Sequence, residues 1–493
     1  MVSGPGPQEQ ERDQAPPRAA FWVAAAVAAL ALWTSAAPTM TYPIYASRWH
    51  LTPAITTLVF AVHPVVLVAV LVLFGGVSDH IGRRAAIRYG LAAELVGVAV
   101  FAVAGNVGWL FVARAFMAVG VGLSFSPATA AMTEFVPARV RRHASAITTA
   151  ATAVGITLAM VGGGALIQYA PMPLALDYWI LAAVVIVVAL CTRLLPAHNR
   201  VESTDRWRLR PIRVPRGHLA VFVTAAITVS ASFVVGAVVL SLGAQIARQL
   251  VGSTNALVTG CLLSVFAVVV AGTALVFSRV PVWLTVVLGA LASAAGLVLF
   301  AVAGVTGAVV WFFAAAALAG LGYSLEFTGG ISLVARYAPP EHRAEMYSAT
   351  YLVAYLFQGA GAVLLGVTAT RIGLRATLVD AVPIISVLLL ASLVLGLVVA
   401  RGRHRAARAA ADPTGPAVAP TDLAVEPAGA TDPAGATDPA VEPGGAAPGR
   451  RPAVPPRRRR RVNRRSPSTR LVATSTATEE SPCARVDSPT CSR

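Results

Sequence analysis

The sequence contains no lysine, and charged residues make up only 12% of its 493 positions. Soluble proteins carry about 25% charged residues, so this composition excludes a water-soluble multidomain enzyme. The four cysteines lack metal-ligand spacing, so we expect neither a disulfide framework nor a metal site. The loop that binds ATP phosphates needs a lysine, and this chain therefore cannot pump with ATP by itself. We expect no cofactor.

The sequence is instead rich in long apolar runs, with 56% hydrophobic residues and a mean hydropathy of +0.71. A helix needs about 20 mostly apolar residues to cross a bilayer. The first run is too long for a signal peptide, and we interpret it as an uncleaved span. The sequence therefore predicts an all-α integral membrane protein with twelve transmembrane helices, near 19–42, 54–76, 86–104, 108–131, 145–168, 177–195, 218–243, 255–278, 281–303, 307–333, 346–367 and 377–400.

One polar break, which contains six arginines, divides these helices into two groups of six. The last part of the chain is built largely from Pro, Ala, Gly and Arg, a composition that cannot bury a core and is typical of disorder. The predicted organisation is an N-terminal tail at 1–18, a six-helix bundle at 19–196, a basic central loop at 197–217, a second six-helix bundle at 218–400 and a disordered tail at 401–493.

The arginines predict the orientation of the chain. With a cytoplasmic N-terminus, the inner connections hold sixteen arginines and the outer connections four. Positive loops stay on the cytoplasmic side, so we predict a multi-pass protein of the cytoplasmic membrane with both termini inside. A pI near 10.9 also occurs in nucleic-acid-binding proteins, but most of this charge lies in short loops. We therefore expect no nucleic-acid partner. We expect Arg457–Arg461 to contact anionic lipid, and we expect the protein to be a monomer.

The two groups of helices contain a similar segment. Trp109–Pro137 matches Trp311–Pro339 at an offset of 202 residues. Two six-helix halves related by a repeat are a recurring transporter architecture, with the binding site at their interface. The matched pairs include Phe111/Phe313, Gly120/Gly322, Leu123/Leu325 and Phe125/Phe327.

The connection between the second and third helices runs from Gly75 to Arg84. Gly75 and Gly82 permit a tight turn. Asp79 lies four residues before Arg83, within pairing reach if this stretch is helical. A carboxylate beside arginines at the membrane edge can hold a cytoplasmic gate shut; the alternative is an ordinary basic loop.

This connection resembles the loop motif Gly-x-Leu-Ala-Asp-x-x-Gly-Arg-Arg of the major facilitator superfamily. The resemblance extends over roughly residues 19–400. It implies a twelve-helix secondary transporter that works by alternating access, in which Asp79 acts near the start of helix 11 to favour the outward-open state. Val77 and Ser78 are mild departures from the motif, and the matching residues are Gly75, Asp79, Gly82, Arg83 and Arg84.

The family's second motif is an arginine followed by closely spaced glycines on helix 4. Arg114 with Gly120 and Gly122 resembles it, although Ala118 replaces the first glycine. A charged side chain at the bilayer centre costs at least about 2.5–3.5 kcal/mol on insertion scales. Arg114 is therefore expected to bind an anion or to tune a nearby proton site. The alternative is an arginine whose head snorkels to the membrane surface.

Helix 5 carries the small residues Gly155, Ala159, Gly162 and Gly163. Three of them fall at four-residue steps, which predicts close packing on a neighbouring helix. The family's antiporter motif has a Gly-Pro pair here, and this chain lacks it. That departure keeps uptake open beside export.

Few polar residues occur inside the spans. Glu326 is the main candidate for a proton carrier, because a carboxyl in an apolar cavity can bind and release a proton near neutral pH. An inner-gate ion pair with Arg336 or Arg343 is the alternative. His63 is either a hydrogen-bonded packing residue or part of a proton relay. The family's arrangement of helices around the cavity implies these lining residues: Trp33, Tyr42, Arg114, Phe125, Glu326, Tyr355 and Gln358.

These observations predict a secondary active transporter for a small organic solute, powered by the proton gradient. The apolar and aromatic candidate cavity favours export of a lipophilic compound or drug. Proton-coupled uptake of a metabolite or sugar is one alternative, and a non-transporting membrane receptor or scaffold is another. An enzyme would need paired catalytic groups, and the acids within the spans are isolated, so we expect no enzyme.

Overall fold

The structure is a computed structural model that describes residues 18–137, 144–196, 214–250, 252, 254–277, 280–339 and 342–411. Most of the predicted terminal tails (residues 1–17 and 412–493, which include the Arg457–Arg461 run) and most of the predicted central loop lie outside these residues. Within them every long element is a helix and no strand forms. Twelve helices are long and apolar enough to cross a membrane, which confirms the predicted fold class.

The twelve spans are labelled α1 to α12 in chain order. They are Ala19–Arg48, Pro53–Phe74, Arg83–Ala102, Val107–Glu134, Ile147–Tyr169, Leu176–Leu194, Leu219–Gln249, Ala256–Val276, Val282–Thr306, Val309–Tyr337, Glu345–Ile372 and Leu374–Val398.

Several helix starts are set by side chains that cap free backbone N–H groups. Thr52 accepts a hydrogen bond from the N–H of Ile55 at the start of α2. Asn106 accepts one from Gly108 at the start of α4, with a distance of 2.9 Å. Such caps satisfy donors that have no partner inside the helix.

Prolines occur in the second half of α1. The helix is interrupted at Ala37, and Pro38 begins the segment that continues to Arg48. Proline suits a first helical position because its missing N–H would have no partner there. The last helix also runs further than predicted, since the helical backbone of α12 continues to Ala411 beyond the predicted end at 400.

The helix contacts repeat at an interval of six helices. In the first six, α4 packs against α1, α2 and α3, and α3 also packs against α6. In the last six, α10 packs against α7, α8 and α9, and α9 also packs against α12. The repeat seen in the sequence therefore extends to the packing, while the exact limits of the two predicted bundles stay a prediction.

The first six and the last six helices meet through α2 with α11 and α5 with α8. Four described hydrogen bonds cross this boundary, and all lie at the end that the arginines predict to be outer. They join Thr39 to Leu240 at 2.9 Å, Ala54 to Thr370 at 2.9 Å, Gln245 to Thr56 at 3.0 Å and Ala256 to Gln168 at 2.8 Å.

Candidate functional site

Arg114 lies inside the bundle, where α4 meets α1 and α2. Only 1% of the residue is exposed. Its Nη1 atom donates a hydrogen bond to the carbonyl oxygen of Ser35 at 2.9 Å, and its guanidinium carbon lies 5.8 Å from the ring centroid of Phe60. This burial excludes the snorkelling interpretation. Its Nε atom has no hydrogen-bond partner among the described residues and is free to donate.

His63 and Tyr42 lie close to the same group. The Nε2 atom of His63 is 3.2 Å from the Oγ atom of Ser35. Because Ser35 uses its single hydroxyl hydrogen for the carbonyl of Ala31 at 2.8 Å, its oxygen can only accept, so His63 donates from Nε2. Tyr42 is buried and interacts electrostatically with Arg114, and its hydroxyl has no hydrogen-bond partner in the described part. The structure thus brings Arg114 and His63 together at Ser35, and Tyr42 interacts with the same arginine.

An aromatic cluster lies in the last six helices. Phe233 on α7 stacks on Tyr323 of α10 with ring centroids 6.1 Å apart, and it meets the edge of Tyr355 on α11 at 4.8 Å. Phe327 is 6.0 Å from Phe233, and Tyr351 is 6.4 Å from Tyr355. All but Phe233 are only partly buried. The five rings therefore form a partly open aromatic surface.

Phe125 and Tyr355 connect this aromatic cluster to the first six helices. Both pack against one small group of buried apolar residues on α1, α2 and α4. Trp33 contacts two larger apolar clusters and is half-buried. Gln358 is buried on α11, where its neighbour Gly359 faces Pro64 and Val65 of α2. These four predicted lining residues therefore lie along the boundary between the two sets of helices.

Glu326 occupies a different place from the predicted one. It is fully buried, and its Oε2 atom accepts a hydrogen bond from the hydroxyl of Ser293 on α9 at 3.1 Å. The side chain packs against Gly289 of the same helix, so it faces α9 rather than the aromatic cluster. No ion pair in the described part includes it, and the alternative pairing with Arg336 or Arg343 is not observed.

The loop motif after α2 forms a short helix, Val77–Ile81, followed by Gly82 with a φ of 85°. This left-handed backbone ends the short helix. Asp79 and Arg83 are therefore not four residues apart in one helix, and the side chain of Asp79 lies outside the described part. Arg83 forms an ion pair with Glu134 at the end of α4.

Arg84 of the motif and Arg88, one turn further along α3, bind the end of α6. Arg84 donates to the carbonyl of Leu195 at 3.3 Å, and Arg88 donates to the hydroxyl of Thr192 at 3.0 Å. Together with Arg83 they tie α3 to the ends of α4 and α6 within the first six helices.

The predicted small residues differ in how closely they pack. A Cβ on Gly155 would lie 2.0 Å from the carbonyl oxygen of Ala29 on α1, and one on Gly120 would lie 2.3 Å from the Cγ of Glu94. Gly122 faces Val70, Gly163 has only ordinary contacts, and Gly162 faces open space. Ala159 is fully buried.

Sequence reasoning missed Asp177. It lies in the first turn of α6, is 1% exposed, and neither carboxylate oxygen has a hydrogen-bond partner among the described residues. The neighbouring Tyr178 hydroxyl lies 2.7 Å from that of Thr41. The one available signal was an acid at the very start of an apolar run. Among the described residues no group of three His, Cys, Asp or Glu side chains can hold a metal ion.

Solved transporter structures share this fold. A mutant of the nucleoside transporter NupG superposes with a TM-score of 0.63 at 14% identity, over 77% of this chain and 100% of that one. A bacterial homolog of the human lysosomal transporter Spinster, inward-facing and occupied, gives 0.60 at 14% identity over 81% and 98%. A POT family transporter in complex with a thioalcohol-conjugated peptide gives 0.62 at 12% identity over 79% and 96%. At these identities the likeness shows the fold alone.

Sequence comparison gives the family directly. No curated protein matches the chain. The family model described as Major Facilitator Superfamily matches residues 21–356, which is more than half of the sequence. The chain belongs to the Major Facilitator Superfamily of membrane transporters.

Proposed function

We propose that this transporter exports a small lipophilic organic solute across the cytoplasmic membrane by alternating access, driven by the proton gradient. The observation that carries the proposal is the partly open aromatic surface of Phe233, Tyr323, Phe327, Tyr351 and Tyr355. Aromatic faces bind flat or bulky apolar molecules through large contact areas. All five of its side chains are uncharged aromatic rings, so it favours neutral or weakly polar solutes.

Alternating access is supported by the four hydrogen bonds across the boundary between the first and last six helices. They lie at the predicted outer end, so on that topology this conformation is closed to the outside. The outward-open conformation would have to break them. The loop motif with Asp79, at the opposite end, is proposed to favour that second conformation.

Proton coupling is supported by Glu326. Its carboxyl is fully buried, and its Oε1 atom has no hydrogen-bond partner in the described part. A buried carboxylate without a counter-charge is costly, so a proton is the simplest partner for it. Because Glu326 contacts α9, we propose that it controls helix packing beside the cavity and does not touch the solute.

Uptake of a metabolite or sugar remains a second candidate, and a specific group of atoms favours it. The Nε atom of Arg114 can donate a hydrogen bond, and the hydroxyl of Tyr42 can donate or accept one. Both atoms are buried, and neither has a partner among the described residues. Such groups suit a polar or anionic solute. A receptor or scaffold would bind a ligand without moving it.

The test is transport in proteoliposomes. The purified protein is screened against a panel of lipophilic compounds, sugars and carboxylic acids under an imposed pH gradient. We expect gradient-driven accumulation of a lipophilic compound that a protonophore abolishes. Gradient-driven accumulation of a sugar or acid alone would replace export with uptake, and binding without accumulation would favour the receptor.

Two variants on the same helix locate the solute. Phe327→Ala removes a ring of the aromatic surface, whereas Phe313→Ala removes one that is 50% exposed on the surface of α10. An aromatic contact contributes about 0.5–1.5 kcal/mol, so Phe327→Ala should weaken apparent affinity about 2- to 10-fold. Phe313→Ala should not. Equal effects of the two variants would contradict the proposed site.

Glu326→Gln tests the coupling. The amide keeps the shape of the side chain but cannot bind and release a proton. We expect pH-driven transport to fall while binding of the same compound survives. Unchanged coupling would place the proton site elsewhere.

A further inference from the structure

Two fully buried glutamates occupy corresponding helix contacts in the two sets of six helices. Glu94 lies between α3 and α4, and Glu326 lies between α9 and α10. Each carboxyl accepts a hydrogen bond from a serine across that contact. Ser124 donates to Oε1 of Glu94 at 2.8 Å, and Ser293 donates to Oε2 of Glu326 at 3.1 Å.

The two pairs are the same arrangement with the partners exchanged. The offset that matches Gly120 to Gly322 also matches Ser124 to Glu326. On the neighbouring helices, Gly120 packs against Glu94, and its counterpart Gly322 packs against Ser293. The acid thus lies on the third helix in one half and on the fourth helix in the other, while the serine takes the opposite place.

A second hydroxyl at each carboxyl links it to the first helix of its own half. The Oγ1 atom of Thr34 on α1 is 3.3 Å from Oε2 of Glu94. Ser392 on α12 lies beside Glu326, and its hydroxyl donates to Thr228 on α7 at 3.2 Å. Each carboxyl therefore has two hydroxyl neighbours and a link to the first helix of its half, which is direct at Glu94 and runs through Ser392 at Glu326.

The hydrogen-bond count at Glu94 fits a carboxyl that carries a proton. Thr34 has one hydroxyl hydrogen, and the backbone carbonyls of Leu30 and Ala31 lie closer to its oxygen, at 3.1 and 3.0 Å, than Glu94 does. When that hydrogen points to the backbone, the oxygen of Thr34 can only accept. A protonated Glu94 then donates to Thr34 and accepts from Ser124, so every polar atom has a partner.

No described charged side chain neutralises Glu94. The groups recorded in contact with it from neighbouring helices are the two hydroxyls of Ser124 and Thr34. The buried charged residues on α4 and α6 have other neighbours, since Arg114 binds Ser35 and Asp177 lies near Tyr45 and Tyr178. A proton is therefore the available positive partner for this carboxyl.

We propose that Glu94 is a second proton-binding site, equivalent to Glu326, so that each half of the transporter binds one exchangeable proton. This inference rests on the proposed coupling through Glu326 and extends it. Thr34, which contacts Glu94, is followed by Ser35, which binds Arg114 and His63, and Thr39 on the same span binds α7. Loss of the proton from Glu94 would turn Thr34 from an acceptor into a donor, and α1 would carry that change to the boundary between the halves.

The test is infrared difference spectroscopy of the purified full-length protein in detergent, without added solute, between acidic and alkaline buffer. Protonated carboxyls are followed by their C=O stretch. Among the components that vanish on deprotonation, we expect two to be assignable by substitution: Glu94→Gln removes one and Glu326→Gln removes the other, while the component of the buried Asp177 stays in both variants. Ser124→Ala should shift only the component of Glu94. Asp380→Asn, at an exposed site on α12, should change neither.

The exchanged partners allow a second, stricter test. The variant Glu94→Ser should lack the C=O component of Glu94. The double variant Glu94→Ser with Ser124→Glu should regain such a component, because a serine on the third helix with a glutamate on the fourth is the arrangement already present at α9 and α10. Circular dichroism and thermal melting confirm that each variant is folded.

The outcomes separate the two proposals. If Glu94→Gln leaves the spectrum unchanged while Glu326→Gln removes a component, the second site is refuted and coupling through Glu326 stands. If neither Glu94→Gln nor Glu326→Gln removes a component, both the second proton site and the coupling through Glu326 are refuted. A folded double variant with no regained component would also overturn the equivalence of the two sites.

Discussion

Arg114 on α4 donates a hydrogen bond to the backbone carbonyl of Ser35 on α1, with its Nη1 atom 2.9 Å from the oxygen. The side chain of the same serine receives the Nε2 hydrogen of His63 on α2. One residue of α1 therefore holds the buried arginine and the buried histidine in fixed positions. Ser35 lies two residues before Ala37, where the helix of α1 is interrupted.

This relationship predicts that Arg114 cannot be replaced by lysine. The planar guanidinium reaches Ser35 while it lies over Phe60, and an ammonium group on a flexible stem cannot keep both contacts. A hydrogen bond to a charged group contributes about 1.5–3 kcal/mol, so Arg114→Lys should lower transport about tenfold or more, measured in proteoliposomes. Arg371→Lys, at an exposed end of α11, is the matched control. Transport by Arg114→Lys at the control level would contradict this role.

The sequence was sufficient to predict the twelve helices and Arg114, but it could not predict Ser35. The number of membrane-spanning helices follows from the number and length of the apolar runs, which are local properties of the sequence. A buried arginine stands out by residue type alone. The role of Ser35 depends on a backbone carbonyl, which every residue has, so nothing in its side chain marks it.

Two further expectations from the sequence, for Glu326 and for the pair Asp79 and Arg83, differ from the structure. Glu326 was expected in the cavity, yet it faces α9, because α10 is surrounded by helices and its apolar pattern does not distinguish the faces. Asp79 and Arg83 have helical spacing, but the positive φ of Gly82 lies between them and ends the helix. Both errors concern direction in space, which depends on packing between distant segments.

The glycines of α5 give a prediction with an internal control. A methyl group at Gly155 would meet the backbone of Ala29, which has little freedom to move, whereas one at Gly162 would face open space. Overpacking costs typically about 1–3 kcal/mol, so Gly155→Ala should lower the stability of the protein in detergent. Gly162→Ala should leave it unchanged or slightly raised, because alanine is the better helix former. Thermal unfolding of both variants checks this, and equal melting temperatures would show that α1 and α5 are not closely packed.

The hydrogen bond between Gln245 and Thr56 should help to hold the predicted outer end closed. Both side chains are almost fully buried, and Thr56 keeps its bond to the backbone of Pro53 when Gln245 is removed. A typical net value of about 1 kcal/mol corresponds to about a fivefold change in the ratio of the two conformations. Gln245→Leu should therefore increase the outward-open population.

Distances between spin labels at the outer ends of α1 and α7 measure this population. Gln249→Leu, one turn further along α7 and exposed, is the control. If Gln245→Leu gives the same distance distribution as the control, this hydrogen bond does not stabilise the closed end.

The final prediction concerns the chain after Ala411. All twelve spans end by Val398, and the helical backbone of α12 ends at Ala411. The residues beyond are rich in Pro, Ala, Gly and Arg, a composition that does not build a packed core. A truncation after Ala411 should therefore insert and transport as the full chain does in proteoliposomes. A truncation after Ile372 should fail to fold, because it removes α12, which packs against α9. Loss of transport in a correctly inserted 1–411 protein would show that the tail takes part in the transport cycle.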